Sequence, residues 1–218
     1  MPSMDHLFHN NREWVDQIES ETPGFFQRLA AVQKPDYLWI GCADSRMPAN
    51  EIVGLLPGEL FVHRNVGNVV VHTDLNCLSV IQFAVAVLGV RHIIVVGHHR
   101  CGAVQAALQP DHDLGLIDNW LRHIEDVAAD HRDLLGEVPD DRRVDALCEL
   151  NVIHQAANVA RTSVVRERWR EGGALHVHGW VYSLTDGLLK DLGTTFSSPE
   201  DVEPRLDAGI EALAGRYR

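Results

Sequence analysis

Four short, mainly apolar runs recur along the chain. They cover residues 37–41, 60–64, 92–97 and 175–182. Runs of this length without strict alternation of apolar and polar residues are typical of strands buried on both faces of a parallel sheet. The pattern therefore predicts at least four strands that are covered on both sides.

Segments with apolar residues at helical spacing separate these runs. In residues 73–88, a Thr73 cap precedes one apolar face formed by Leu75, Leu78, Ile81, Val85 and Leu88. Other helical patterns cover residues 100–108, 114–131 and 141–169. This alternation predicts an α/β fold with an open, mainly parallel sheet flanked by helices on both faces.

The first 34 residues do not follow this alternation. Residues 5–32 have helical spacing with a break at 22–24, where the sequence reads Thr-Pro-Gly. We therefore divide the chain into an N-terminal helical arm, residues 1–34, and an α/β domain, residues 35–218. We expect the arm to contact the second subunit of a dimer.

The composition argues against several classes of protein. The net charge of −12 is opposite in sign to a nucleic-acid-binding surface, which needs clustered Lys and Arg. The longest apolar run, residues 80–90, is interrupted by Gln82 and falls well short of the ~20 residues that cross a bilayer. The amino terminus lacks the apolar stretch of a secretory signal. We expect a cytoplasmic protein with no nucleic-acid and no membrane partner.

Metal-ligand residue types follow two of the predicted strands. Cys42, Asp44 and Arg46 come after the first strand, and His98 and Cys101 come after the third. In open α/β sheets the binding crevice lies beyond the carboxyl ends of the strands, so we expect these side chains to meet there. Thiolates and imidazoles are ligands that Zn²⁺ readily takes. The sequence predicts one zinc ion per subunit, with Cys42, Asp44, His98 and Cys101 as candidate ligands.

Two kinds of zinc site fit these residues. A closed structural site would use all four candidate ligands, whereas a catalytic site would keep its fourth position open. Arg46 favours the catalytic site, because it would hold the Asp44 carboxylate away from the metal and has no necessary place in a structural site. We therefore interpret residues 35–218 as a zinc-binding α/β catalytic domain. Cys77 and Cys148, the two remaining cysteines, are expected to be buried thiols.

Three motifs in this predicted crevice resemble signatures of the β-class carbonic anhydrases. They are Cys-Ala-Asp-Ser-Arg at residues 42–46, Phe-Val-His-Arg-Asn-Val at 61–66 and His-His-Arg-Cys-Gly at 98–102. The resemblance implies an α/β fold with a mainly parallel sheet, one zinc per subunit, and an arm-swapped homodimer that commonly pairs into a homotetramer. Three residues depart from the usual family pattern: Phe83, Arg100 and Ala103.

The resemblance also implies a reaction, the reversible hydration of carbon dioxide to bicarbonate and a proton by zinc-bound hydroxide. In the family pattern Asp44 accepts a hydrogen bond from the hydroxide and Arg46 keeps Asp44 ionised, so both are catalytic candidates. The positions that match substrate-binding residues are Gln33, Phe61, Val66, Phe83 and Gly102. Without the resemblance, these positions would be interpreted as core residues.

A second set of residues resembles a regulatory site. Trp39, Arg64 and Tyr182 match the triad with which some bacterial members bind bicarbonate away from the zinc. The resemblance implies allosteric inhibition, in which Asp44 releases Arg46 and takes the fourth zinc position. The alternative interpretation is that Trp39 and Tyr182 are buried strand residues and that Arg64 pairs locally.

Two other functions remain open. The same ligands could support hydrolysis of COS or CS₂, because the reaction is again attack of hydroxide on a linear cumulated carbon. A non-enzymatic, zinc-stabilised bicarbonate sensor would need only the metal and the Trp39 pocket.

Overall fold

The structure, a computed structural model, describes residues 3–109 and 113–218, and its chain forms two compact units, residues 1–34 and 35–218. In the first unit, helix α1 (Asp5–Glu21) and helix α2 (Phe25–Ala31) are separated at the predicted break. Gly24 adopts a positive φ of 71° there, and its N–H donates to a Glu19 carboxylate oxygen at 2.7 Å. The rings of Trp14 and Phe26 pack edge to face, with centroids 5.4 Å apart.

The second unit contains a five-stranded sheet with the strand order β2-β1-β3-β4-β5. Its strands are β1 (Tyr37–Cys42), β2 (Leu60–Asn65), β3 (His92–His98), β4 (His176–Tyr182) and β5 (Leu189–Phe196). The first four are parallel to one another, and β5 pairs with β4 in the antiparallel direction. The predicted mainly parallel sheet is confirmed, with an antiparallel edge strand that the sequence analysis missed.

Eight helices of the second unit are described, together with two 3₁₀ turns and one π-helical segment. The helices are α3 (Ala49–Val53), α4 (Leu75–Gln82), α5 (Gly102–Ala107), α6 (Ile117–Asp130), α7 (Arg132–Glu137), α8 (Asp140–Arg161), α9 (Ser163–Arg170) and α10 (Val202–Tyr217). The π-helical segment is Phe83–Leu88, and the 3₁₀ turns are Val66–Asn68 and Pro199–Asp201. Within the described residues, no helix is long and apolar enough to cross a membrane.

Alternate residues of the central strands enter two different hydrophobic clusters. Leu38 and Ile40 of β1 belong to a large cluster that includes much of α8, whereas Trp39 belongs to a smaller cluster with Ile94 and Val96. Successive side chains of a strand point to opposite faces of the sheet. The central strands are therefore buried on both sides, as their unbroken apolar runs predict.

The segment 73–88 differs in detail from its predicted helix. The helix begins at Leu75, and the cap is Asp74, whose carboxylate accepts the Asn76 N–H at 3.0 Å. The predicted Thr73 cap is therefore wrong. Leu75, expected on the buried face, is 75% exposed. The π-helical turn at 83–88 changes the helical period, and Ala84 becomes buried beside Val85.

Close packing of α8 against β3 leaves no room for a side chain at Gly97. A Cβ at this position would lie 2.5 Å from Val152 Cγ2. We expect Gly97→Ala to destabilise the protein by roughly 1–3 kcal/mol, the usual cost of overpacking. Urea unfolding measures this. Gly136→Ala is the matched control, because no heavy atom lies within 4 Å of a Cβ there and alanine favours its helix. Equal stabilities of the two variants would contradict the packing argument.

Candidate metal centre

Parallel pairing of β1 with β3 brings the predicted site residues together. Gly41 is the register partner of Val96, so the strands end side by side at Cys42 and His98. The chain then leaves β1 through Ala43, whose N–H donates to the Asn65 carbonyl of β2 at 2.8 Å. Cys101 follows two residues after His99 and directly precedes α5. The centre therefore lies at the carboxyl edge of the sheet, where the sequence predicts it.

Three ligating atoms converge at this edge. The Sγ atoms of Cys42 and Cys101 and a ring nitrogen of His98 all lie within 4.8 Å of one another, and all three residues are buried. The two sulfurs are 3.9 Å apart. A hydrogen bond from Cys101 lowers the pKa of the Cys42 thiol to about 4, and the same contact raises the pKa of Cys101. Either sulfur can be the donor in this contact, which favours the ionised form of the other.

The ring of His98 is oriented with a bare nitrogen toward the two sulfurs. Its Nδ1 donates to the carbonyl oxygen of His99 at 3.0 Å, so the hydrogen lies on Nδ1 and Nε2 carries a lone pair. Nε2 is buried and has no hydrogen-bond partner among the described residues. Buried polar atoms without a partner are rare, and two sulfurs with one bare imidazole nitrogen are a donor set that suits Zn²⁺. The residues present therefore fit this metal.

The Asp44 carboxylate is held beside the three ligating atoms by Arg46. Arg46 Nε donates to Oδ1 at 2.9 Å, its terminal nitrogen donates to Oδ2 at 2.6 Å, and its backbone N–H also donates to Oδ1. These contacts hold the pKa of Asp44 well below the ordinary carboxyl range. Asp44 Oδ2 lies 3.6 Å from His98 Nε2. Both carboxylate oxygens are thus committed to Arg46, as the catalytic interpretation expects.

Arg64 fixes the backbone that carries this carboxylate. Its Nε donates to the Cys42 carbonyl at 2.9 Å, and its terminal nitrogen donates to the Asp44 carbonyl at 2.5 Å. Arg64 therefore pairs locally, as the alternative interpretation of this residue expects. Trp39 is fully buried, and the partly buried Tyr182 packs against the same small cluster. Bicarbonate binding by these three residues stays a prediction.

The predicted substrate residues occupy several places. The rings of Phe61 and Phe83 are in contact, with centroids 5.9 Å apart. Val66 and Trp120 both line an open groove of about 590 Å³, and Trp120 Nε1 donates to the Val66 carbonyl at 2.7 Å. Gly102 is the first residue of α5, with no heavy atom within 4 Å of a Cβ at that position. Gln33 lies in the first unit, after α2.

A second group of possible ligands consists of His63, Asp74 and Cys77, whose ligating atoms also lie within 4.8 Å of one another. Burial and the Asp74 charge raise the pKa of the Cys77 thiol to about 12. The Asp74 carboxylate of this group already accepts the Asn76 N–H as the cap of α4, and His63 Nε2 lies 3.4 Å from Asn65 Nδ2. His98 Nε2 has no such partner among the described residues, which favours the first group as the metal centre.

Arg100, one of the three unusual residues, lies between the candidate ligands in a left-handed conformation with a φ of 56°. Its backbone N–H donates to the Asp145 carboxylate of α8 at 2.9 Å. This conformation favours glycine, so a residue as large as arginine is unusual in it. Here Asp145 fixes the turn between His98 and Cys101.

Comparison with known proteins gives the same assignment as the motifs. Residues 37–189 match the family model described as carbonic anhydrase. The chain is 52% identical over 193 residues to a carbonic anhydrase of Emericella nidulans, an alignment that covers 88% of this chain and 84% of that protein. The chain belongs to the β-class carbonic anhydrases.

Solved structures of this carbonic anhydrase class share the fold. A structure of the tetrameric β-carbonic anhydrases from Sordaria macrospora has a TM-score of 0.85 and 36% identity, covering 88% of this chain and 98% of that one. The Coccomyxa β-carbonic anhydrase in complex with acetazolamide has a TM-score of 0.89 and 36% identity, covering 95% and 96%. The similarity therefore covers most of each chain.

The Asp44 and Arg46 pair of this carbonic anhydrase can be tested without turnover. We expect Arg46→Gln to raise the pKa of Asp44 toward the ordinary value near ~3.9, because the bidentate contact that favours its ionised form is lost. Carboxyl ¹³C NMR of chelator-treated protein against pH measures this. Arg91→Gln, which removes an exposed ion pair with Asp36, is the control and leaves Asp44 unchanged. An equally low pKa in Arg46→Gln would contradict the assignment.

Proposed function

We propose that this chain catalyses the reversible hydration of carbon dioxide to bicarbonate and a proton, with one Zn²⁺ held by Cys42, His98 and Cys101. The observation that carries the proposal is the bare, buried Nε2 of His98 beside two sulfurs, with an arginine-held carboxylate next to it. Membership of the carbonic anhydrase family supports the same substrate. Three protein ligands leave a fourth position free, as in other catalytic zinc sites.

The chain's own residues prepare this site in distinct ways. When bound, Zn²⁺ would act as a Lewis acid that lowers the pKa of water, so that hydroxide is available near neutral pH. His98 offers Nε2 because the His99 carbonyl holds the proton on Nδ1. Asp44 Oδ2, 3.6 Å from that nitrogen, is placed to accept a hydrogen bond from a water or hydroxyl beside it.

Arg46 controls the ionisation and the position of the Asp44 carboxylate. While both carboxylate oxygens accept from Arg46, Asp44 stays ionised and outside the set of three ligating atoms. Asp44 as a fourth metal ligand, the closed arrangement, would require it to leave Arg46. We propose that the closed arrangement is the inactive state. In the active state Asp44 stays paired with Arg46, and these two residues are the catalytic pair.

We propose that carbon dioxide approaches along apolar side chains near the strand ends. The contact of Phe61 with Phe83 and the exposed face of Val66 support an apolar approach. Gly102 N–H and Gln33 are proposed to contact substrate oxygens. An unhindered Gly102 supports the first of these contacts.

We propose that the chain assembles as a homodimer or homotetramer, with the helical arm at the dimer contact. The Sordaria macrospora structures are described as tetrameric. Three apolar side chains of residues 75–88 are exposed, Leu75, Phe83 and Val87, which supports the burial of this surface in an assembly. The cytoplasm remains the expected compartment.

Removal of one sulfur tests the proposed reaction. We expect Cys101→Ser to lose stoichiometric zinc and to lower CO₂ hydration at least ~100-fold, because even outer-shell changes cost about 10–100-fold in metal sites. Stopped-flow hydration at pH 7 and pH 9 with elemental analysis measures both. Cys77→Ser, at a buried thiol of the second group, is the control that keeps the zinc.

Each outcome distinguishes the alternatives. Fast hydration by Cys101→Ser would contradict the proposed ligand set. Turnover of COS or CS₂ by the wild type without CO₂ hydration would favour the sulfur hydrolase. A zinc-loaded wild type that turns over none of these substrates would favour the bicarbonate sensor.

Inhibition by bicarbonate at Trp39, Arg64 and Tyr182 is a separate proposal. It is supported by the contact of Arg64 with the Asp44 carbonyl, through which an anion that pairs with Arg64 would disturb the Asp44 turn. We expect Trp39→Phe to weaken bicarbonate inhibition and to change the pH profile of the rate. Trp180→Phe, in the same small cluster, is the control. An unchanged inhibition constant and pH profile in Trp39→Phe would exclude a regulatory role of that residue.

A further inference from the structure

A buried carboxylate on α8 collects donors from distant parts of the chain. Glu149 is 1% exposed, and its Oε1 accepts from His99 Nε2 at 3.2 Å, Lys190 Nζ at 3.3 Å and the Tyr217 hydroxyl at 3.1 Å. Its Oε2 accepts from a terminal nitrogen of Arg216. Four side chains from three further segments therefore converge on one carboxylate.

Burying a carboxylate in this way costs free energy unless each of its hydrogen-bonding partners is in place. Burial alone would raise the pKa of Glu149, but hydrogen bonds from His99 and Arg216 lower it to about 2. Glu149 is therefore ionised at neutral pH. A buried ion group of this kind contributes little net stability compared with apolar packing, and loss of one member leaves a charge unpaired. Stability alone is a weak explanation for it.

His99 connects this carboxylate to the metal centre. Its ring donates to Glu149, its backbone N–H donates to the Tyr182 carbonyl at 3.0 Å, and its own carbonyl accepts from His98 Nδ1 at 3.0 Å. The last contact is the one that leaves the lone pair of His98 on Nε2. Acceptors of this kind fix the tautomer and ring plane of a ligating histidine.

We propose that Glu149 is a positioning residue of the metal centre, which acts by holding His99 so that the His99 carbonyl orients His98 toward the metal. The C-terminal helix α10 is then part of the same support, because it supplies Arg216 and Tyr217. Arg142 of α8 braces that helix, with its guanidinium carbon 4.5 Å from the centroid of the Tyr217 ring. The inference rests on the proposed zinc site.

The test measures how fast zinc leaves the protein. Glu149→Gln keeps the side-chain shape and removes the charge, so the His99 ring faces at best a neutral, weaker acceptor. We expect transfer of zinc to a chromogenic chelator to be roughly 10-fold faster than in the wild type, within the range of outer-shell effects. The visible absorption of the Co²⁺-substituted protein is expected to change as well, because the orientation of His98 changes. Glu203→Gln, which removes the surface pair with Arg161, is the control and matches the wild type.

A double-mutant cycle separates positioning from general destabilisation. If Glu149 acts through His99, Glu149→Gln has little further effect on zinc release in a His99→Ala background. An equal acceleration in both backgrounds would overturn the inference, because Glu149 would then act without His99. Unchanged release and an unchanged Co²⁺ spectrum in Glu149→Gln would overturn it too.

If Glu149→Gln does not fold, a milder variant tests the positioning role of Glu149. Tyr217→Phe removes one hydrogen bond to Glu149 and leaves no charge unpaired. We expect faster zinc release, by a smaller factor, and a release rate equal to that of the wild type would overturn the inference. Failure of the proposed zinc site is distinguishable, since the wild type would then bind no stoichiometric zinc. Failure of the proposed reaction alone would leave a zinc-loaded wild type without CO₂ hydration, on which the release rates can still be compared.

Discussion

The parallel pairing of β1 with β3 is the constraint on which the centre depends. Its register places the ends of both strands at one edge of the sheet, which joins Cys42 to His98 across 56 residues of sequence. Helix α8 packs closely on the same strand, because a side chain at Gly97 of β3 would meet Val152. The chemistry of the site is therefore set by backbone pairing and by the fit of one helix.

Three arginines contact different groups around the site. Arg46 holds the Asp44 side chain, Arg64 holds the Asp44 and Cys42 carbonyls, and Arg216 helps to neutralise Glu149. Each guanidinium presents several donors in a fixed fork, which suits it to hold an oxygen in place. The position of Asp44 is thus determined twice, through its carboxylate and through its backbone. A carboxylate held in this way can remain close to a cation without occupying its fourth position.

The sequence predicted the elements whose signals are local. The strands β1 and β3 follow from apolar runs, and Cys42, His98 and Cys101 were identified because they directly follow those strands. Strand β5 was missed because Asp191 and Gly193 interrupt its apolar pattern, as an edge strand allows.

Glu149 was missed for a different reason. A glutamate within a helical pattern normally lies in solvent, and its partners in α10 are 67 and 68 residues away in sequence. For Arg64, local pairing was one of two interpretations, but the identity of its partners, the Cys42 and Asp44 carbonyls, leaves no trace in the spacing of residues. Long-range polar contacts of this kind become visible only in the folded chain.

X-ray absorption at the zinc edge of the purified protein tests the central claim most directly, because it counts sulfur neighbours of the metal. The account predicts two sulfur scatterers at about 2.3 Å together with two nitrogen or oxygen scatterers, one of them from His98. Fewer than two sulfurs in the zinc shell would contradict it, since Cys42 and Cys101 could not then both be ligands.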